Sequence, residues 1–168
     1  MSKTTEFQLR EWVPIICLSF AAFIFVTTEM LPVGLLPDIA ASFKMSEAST
    51  GLLLTVYAWM VALMSLPLTI LSARMDRKKL VLLLLFFFTV GNVLSALSVS
   101  FLTLMGARSC MALCHAVFWS IATPLAVRIA PESKKAKALS LVVAGGSVAM
   151  VLGVPVGTIL GHQLGWRL

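Results

Sequence analysis

The chain has 168 residues, of which 60% are hydrophobic and only 12% are charged, and its mean hydropathy is +1.01. A soluble domain of this length does not need so much apolar surface, so the composition excludes an ordinary soluble domain and predicts a membrane protein. The net charge of +6 does not indicate a nucleic-acid-binding protein, because the basic residues are few and lie between apolar runs.

Five apolar stretches are each long enough to cross a bilayer as a helix, which takes about 20 residues. Charge, glycine or proline marks most of their ends, whereas the turn at residues 98–101 has none of these. We predict that this turn makes a hairpin of its two neighbouring spans. The predicted fold is an all-α integral membrane protein with five transmembrane helices, at about residues 12–36, 50–71, 79–99, 101–129 and 138–164.

The basic residues are distributed unevenly between the two ends of these predicted spans. One side holds ten of them: Lys3, Arg10, Arg74, Arg77, Lys78, Lys79, Arg128, Lys134, Lys135 and Lys137. The other side holds Lys44 and Arg167. Because cytoplasmic loops carry an excess of lysine and arginine, this pattern predicts a cytoplasmic N-terminus.

Two charged residues, Glu29 and Arg108, lie inside predicted spans one and four. At a rise of 1.5 Å per residue, each lies about 10 Å from the same, non-cytoplasmic end of its span. A charge in the hydrocarbon costs at least about 2.5–3.5 kcal/mol on insertion scales, so both residues are candidates for function. One interpretation is a fixed ion pair that holds helices together. The other is a proton switch, because burial disfavours a charged carboxylate and a nearby arginine favours it.

Four further side chains are candidates for substrate binding: Tyr57, Asn92, His115 and Trp119. His115 is seven residues after Arg108, on the same helical face, and Trp119 is one turn further along. Each candidate has a structural alternative. The histidine and the aromatic residues would simply pack in the core, and the amide of Asn92 would join two helices.

No group of residues with the spacing of a catalytic or metal site is visible. Cys114 and His115 are neighbours, so their side chains point about 100° apart on a helix and do not form a catalytic pair. We therefore expect no enzyme, no metal and no cofactor. The cysteines, Cys17, Cys110 and Cys114, all fall in apolar segments, and we expect them to be buried and unpaired.

Predicted span five has a face of small residues and a proline. Gly153, Gly157 and Gly161 recur every four residues, and Gly145 extends the same face. Such a face allows another helix to approach closely. Pro155 removes one backbone hydrogen bond and is expected to bend the helix. The combination suits a helix that changes its position between two states, and plain helix packing is the structural alternative.

Several stretches of this sequence carry a family resemblance. They are AAFIFVTTEMLPVGLLPDIA (21–40), YAWMVALMSLP (57–67), HAVFWSIATPLAVRIAP (115–131), ALSLVVAGGSVAMVLGVPVGTILG (138–161) and GWR (165–167). From about residue 12 to 168 the chain resembles the major facilitator superfamily in its drug/proton antiporter branch. Within that branch it is most similar to bacterial sugar efflux transporters of the arabinose-export type.

The resemblance implies roles for particular residues. Glu29 matches an acidic position that many members of the branch use for proton coupling, and Arg108 matches the coupling arginine of span four. The span-five antiporter signature matches GVPVG at 153–157, with Gly153, Pro155 and Gly157. The gating loop between spans two and three contributes Arg74, Asp76, Arg77 and Lys78. Here the sequence departs from the family pattern, because Thr69 and Asp76 replace glycines and Ala73 replaces the usual acid. After Arg108, Met111 and Ala112 stand where Gln-Gly is frequent.

The superfamily implies twelve spans in two six-helix halves, each built from 3+3 inverted repeats. On this basis the chain is expected to comprise most of the N-terminal half. Its expected function is proton-driven export of sugars or sugar-like small molecules from a bacterial inner membrane, with protons, the lipid bilayer and either a C-terminal half or another copy of the chain as partners. Multidrug/proton antiport is one alternative. A truncated membrane fragment that does not transport is another.

Overall fold

The structure, a computed structural model, describes residues 9–167 of the chain, with side chains from residue 12 onward. Within that range all regular secondary structure is helical, which confirms the predicted all-α class. Lys3 and the side chain of Arg10, both used in the charge count, lie outside what the structure describes.

Eight α-helices account for most of the described residues: α1 (Leu9–Gly34), α2 (Leu36–Phe43), α3 (Glu47–Thr50), α4 (Leu52–Ser72), α5 (Arg77–Ala96), α6 (Phe101–Ile129), α7 (Lys135–Val148) and α8 (Val154–Leu164). A short 3₁₀ helix, Glu132–Lys134, precedes α7, and a π-helical segment, Ala149–Gly153, joins α7 to α8. From α7 to α8 the chain therefore runs as one long, irregular helix.

Five segments of the described chain are long and apolar enough to cross a membrane, as the sequence predicted: Trp12–Gly34, Glu47–Ser72, Arg77–Ala96, Phe101–Ile129 and Glu132–Leu164. The first ends before Leu35, where the backbone leaves the helical path, and Pro37 lies in the first turn of α2. Pro37 has no N–H to give to the Val33 carbonyl four residues back, which weakens the regular helix in this region.

Side-chain caps define the turns between the long helices. The Asp76 carboxylate accepts a hydrogen bond from the Lys79 backbone N–H at 3.0 Å and so caps the start of α5. Ser100 and Thr103 form a reciprocal capping box at the start of α6. Such caps satisfy backbone donors that a helix leaves free at its first turn. The predicted hairpin is present, because only residues 97–100 separate α5 from α6.

Helix α6 is the most deeply buried of the five crossing segments. It packs against α4 and α5, whereas α1 packs mainly along α7, the π segment and α8.

Burial of the cysteine thiols differs from the expectation. All three cysteines are unpaired, but only Cys114 is buried, since Cys17 and Cys110 lie on the outer surface of the bundle.

The loops gather at two ends of the bundle. At one end the Lys137 ammonium lies 5.3 Å from the centre of the Trp12 ring, and Arg77 and Arg128 line one cavity. This is called the basic end below. At the opposite end Arg167 lies 5.4 Å above the Phe43 ring and donates to the Ser98 carbonyl at 3.4 Å. The loops that hold most of the basic residues thus lie at one end of the bundle.

Candidate functional site: a buried cluster around Glu29 and Arg108

Arg108 extends from α6 toward the backbone of α1. Its guanidinium donates to the Glu29 carbonyl at 3.2 Å and, through both terminal nitrogens, to the Thr28 carbonyl at 3.4 Å. It also lies 5.0 Å from the centre of the Tyr57 ring. The side chain is 6% exposed, and its Nε has no hydrogen-bond partner. These contacts confirm that Glu29 and Arg108 lie at the same depth.

A proline in α1 explains why Arg108 binds at this place. In a helix the Thr28 carbonyl would accept from the backbone nitrogen four residues later, which belongs to Pro32. Proline has no N–H, so that carbonyl has no partner within its own helix. In a membrane such a free carbonyl is satisfied by a neighbouring helix, and Arg108 takes that role.

The carboxylate of Glu29 faces a histidine, not the arginine. His115 Nε2 lies 3.6 Å from Glu29 Oε2, and no ion pair within 4 Å joins Glu29 to Arg108 among the described side chains. On the other side of the ring, His115 Nδ1 lies 3.0 Å from the Tyr57 hydroxyl, within hydrogen-bond distance. Glu29, His115 and Tyr57 therefore form a row across α1, α6 and α4. The predicted charge pair is replaced by two separate sets of contacts.

Aromatic side chains enclose His115. The ring of Phe25 meets it edge-on at 5.5 Å, and that of Trp119 is tilted against it at 6.3 Å. His115 is 3% exposed, whereas the Glu29 side chain is 25% exposed. Both predicted functions of His115, as a packing residue and as a wall of a site, remain compatible with this position. Glu29 is the accessible member of the row.

Asn92 reaches the same region from α5. Its amide nitrogen donates to the Phe88 carbonyl at 2.9 Å, one turn back in its own helix, so it does not join two helices as one interpretation predicted. With Thr28, Ser95 and Arg108 it lines a cavity of about 130 Å³. This cavity extends toward Trp166, at the end of the bundle opposite the basic end. The volume suits several water molecules and is smaller than the usual 300–1,000 Å³ of a ligand pocket.

The glycine face of span five packs directly on α1, which confirms the predicted close approach. A Cβ added at Gly157 would lie 2.7 Å from Leu31 Cδ1, and one at Gly161 would lie 2.6 Å from Leu35 Cδ1. At Gly145 and Gly153 an added Cβ would overlap the backbone of Ser19 and the hydroxyl of Thr27. The partner residues advance together along both helices, so span five runs parallel to α1.

The π segment lies on this same contact. Its backbone bond runs from the Val154 N–H to the Ala149 carbonyl, five residues back, and Pro155 follows at once. Because Pro155 has no N–H, it gives no bond to the Val151 carbonyl, which weakens the regular helix here. π segments are rare in proteins overall, and those that do occur are often found at functional sites. This one lies beside Thr27, two residues from Glu29.

Residues 18–168 match the family model of the Major Facilitator Superfamily. The chain belongs to this superfamily. Its members are membrane transporters, so the chain is a multi-pass membrane protein of a transporter family. The match covers every residue of the Glu29–Arg108 cluster and the whole of the glycine face.

The loop in which the resemblance predicted a gating signature lies at the basic end, away from the cluster. Asp76 caps α5, and Arg77 donates to the Ala73 carbonyl at 3.3 Å, while Arg74 and Lys78 are exposed. Arg77 and Arg128 line a cavity of about 230 Å³, beside a hydrogen bond of 2.7 Å between Thr69 and Ser120. Thr69, at a position where the resemblance predicted glycine, thus donates a hydrogen bond to Ser120.

Two features of the cluster were not predicted from the sequence. Pro32 was overlooked, although a proline four residues after Thr28 inside an apolar segment signals a free carbonyl. The contact between Glu29 and His115 was also overlooked. The seven-residue spacing between Arg108 and His115 placed both on one face of α6 and was the available signal. Among the described residues, no group of His, Cys, Asp and Glu side chains could hold a metal ion.

Proposed function

We propose that this chain takes part in export of sugars or sugar-like small molecules across a bacterial inner membrane, driven by protons that enter at Glu29. The observation that carries the proposal is a partly exposed carboxylate inside a membrane span that has no ion pair with the nearby Arg108. A carboxylate in such a place changes charge when its surroundings change, because burial and a neighbouring cation act on it in opposite directions.

The proposed orientation has the basic end in the cytoplasm, since that end carries most lysines and arginines. In this arrangement the five spans correspond to spans one to five of a six-helix half of the superfamily fold. The facing half would be a C-terminal half or another copy of the chain. Each half would then contact lipid on its outer surface and substrate at the interface between the two halves.

Glu29→Gln tests the proposal. The experiment measures accumulation of labelled arabinose in bacteria that contain the chain, alone or with a C-terminal half supplied, at matched membrane levels. We expect the wild-type chain to lower accumulation only while the proton gradient is intact, and Glu29→Gln to abolish that effect. Glu47→Gln is the matched control, because Glu47 is exposed in α3. Gradient-dependent export by Glu29→Gln at the wild-type rate would contradict the coupling role.

Multidrug export by the same antiport is the second candidate function. The half-buried Trp119 ring beside His115 favours it, because aromatic faces attract apolar and cationic ligands, whereas Phe25 and Tyr57 are buried. Competition separates the two candidates. A sugar exporter is inhibited by an excess of unlabelled pentose, whereas a drug exporter is inhibited by a lipophilic cation and not by pentose.

For the loop residues Arg74, Asp76, Arg77 and Lys78 we propose a gating role, together with Gly153, Pro155 and Gly157. Asp76 allows a direct test, because its cap and its charge are separable. Asp76→Asn keeps a good capping group, whereas Asp76→Ala loses about 1 kcal/mol of helix stability. If charge matters for gating, both variants lower export. If Asp76→Asn exports normally and Asp76→Ala does not, the cap matters and the charge does not.

A further inference from the structure

His115 has a polar group facing each of its ring nitrogens. The Tyr57 hydroxyl lies 3.0 Å from Nδ1, and the Glu29 carboxylate lies 3.6 Å from Nε2. The rings of Phe25 and Trp119 pack on the imidazole, and the residue is almost completely buried. The imidazole is therefore fixed in orientation, with one polar group on each side.

A neutral imidazole carries one N–H and one free acceptor nitrogen. If the Tyr57 hydroxyl donates to Nδ1, the ring proton lies on Nε2 and points to the Glu29 carboxylate. If Glu29 carries a proton and donates it to Nε2, the ring proton lies on Nδ1 and points to the Tyr57 oxygen. The two arrangements of the row differ in the direction of both hydrogen bonds.

We propose that His115 is a positioning residue that transmits the protonation state of Glu29 to the Tyr57 hydroxyl by exchanging its ring tautomer. The proposal rests on the proposed function, in which Glu29 takes up and releases protons. Loading adds one proton to the row. The added proton comes from water: Glu29 becomes a carboxylic acid, the ring proton moves from Nε2 to Nδ1, and Tyr57 keeps its hydroxyl but now accepts from the ring. Release reverses these transfers, so no other reactant is needed.

Among the described residues, the other charged and titratable groups near the row are Arg108 and Cys114. Arg108 lies over the Tyr57 ring at 5.0 Å, and the Cys114 thiol is next to His115 in sequence. Burial and the positive charge of Arg108 disfavour a second positive charge on the imidazole, and the opposing attraction of the Glu29 carboxylate is lost when that group binds a proton. His115 therefore acts as a neutral ring that exchanges one proton position for the other.

The Glu29 side chain opens and closes the row. The 3.6 Å separation is longer than a hydrogen bond, and catalytic contacts of this kind often tighten only when the site is loaded. Glu29 is partly exposed and His115 is not, so the carboxylate is the group that moves. A rotation of the Glu29 side chain is enough to connect it to Tyr57 through the fixed ring.

The experiment follows two groups in the full chain as the pH is changed. The ring nitrogens of His115 are observed by ¹⁵N NMR in a His162→Gln background, which leaves one histidine because the chain has two. The protonated carboxyl of Glu29 is observed by infrared spectroscopy and assigned by its loss in Glu29→Gln. We expect the His115 tautomer to change from Nε2–H to Nδ1–H over the same pH range in which the Glu29 band appears.

Tyr57→Phe provides the second readout, because it removes only the hydroxyl and keeps the ring that packs on His115. We expect Glu29 still to titrate in this variant, while the change of tautomer is lost. Titration of Glu29 with a constant tautomer, or with a doubly protonated imidazole, would overturn the relay and leave the proposed function standing. A tautomer change that persists in Tyr57→Phe would also overturn it. A Glu29 band that never changes would remove both the proposed function and the relay.

Discussion

Helix α1 meets its two main neighbours in different ways. Toward α6 it presents a free carbonyl and a carboxylate, which bind Arg108 and face His115. Toward span five it presents side chains that fit against glycines, from Ser19 at Gly145 to Leu31 at Gly157. The first contact is specific through charge and hydrogen bonds. The second depends mainly on how closely two backbones approach.

This difference indicates that the contact of α1 with α6 carries the chemistry and that its contact with span five allows movement. A hydrogen-bonded contact with a buried charge has few alternative arrangements, because each lost bond in a low-dielectric interior is costly. A smooth contact of small residues has few such bonds to break, and one of them joins the Ser19 hydroxyl to the Leu141 carbonyl at 2.6 Å. The π segment and Pro155 lie on the smooth side, so we expect span five to change its shape while the contact between α1 and α6 persists.

The largest effect is expected from Arg108→Ala. The change leaves the Thr28 carbonyl, which Pro32 already excludes from the helix, without a partner, and an unsatisfied buried acceptor costs about 1–3 kcal/mol. We expect a lower unfolding temperature in detergent and loss of export. Arg108→Lys is the control. Lysine keeps the charge but not the planar fork that reaches two carbonyls, so we expect its unfolding temperature and export to lie between those of the wild type and Arg108→Ala. An unchanged unfolding temperature in Arg108→Ala would contradict the anchoring role.

A smaller loss of export, at a similar cost in stability, is expected from Gly157→Leu. The new side chain would overlap Leu31, and overpacking of this kind typically costs about 1–3 kcal/mol. Gly106→Leu is the matched control, since an added Cβ at Gly106 has no atom within 4 Å and the residue also lies in a long helix. Export and thermal stability are measured for both variants. Equal behaviour of the two would mean that the glycine face tolerates bulk and does not set the distance between the helices.

The smallest effect on stability is expected from Pro32→Ala. The new backbone N–H would bond to the Thr28 carbonyl, which gains about 0.5–1.5 kcal/mol for α1 and takes that acceptor from Arg108. We expect slightly higher stability together with lower export. Pro67→Ala is the control, because Pro67 lies on the exposed side of α4. If both variants export equally well, the free carbonyl of Thr28 is not needed for function.

Much of the site was accessible from the sequence, and the reason is geometric. The rise of a helix fixes the depth of Glu29 and Arg108, and the period of the helix puts Arg108 and His115 on one face. Neither fixes the rotation of one helix about its axis relative to another. That rotation decides whether the Glu29 carboxylate meets Arg108 or His115, so the pairing could not be deduced from spacing.

The sequence by itself determined the membrane class, the five spans, the depth of the two charges inside the membrane and the glycine face of span five. These follow from hydropathy, helix rise and residue size, which are local properties. Only the tertiary structure decided that Arg108 anchors to the carbonyls of Thr28 and Glu29, that His115 lies between Glu29 and Tyr57, and that the π segment lies beside Thr27. Those contacts join helices distant in sequence, and they depend on how whole helices turn and pack against one another.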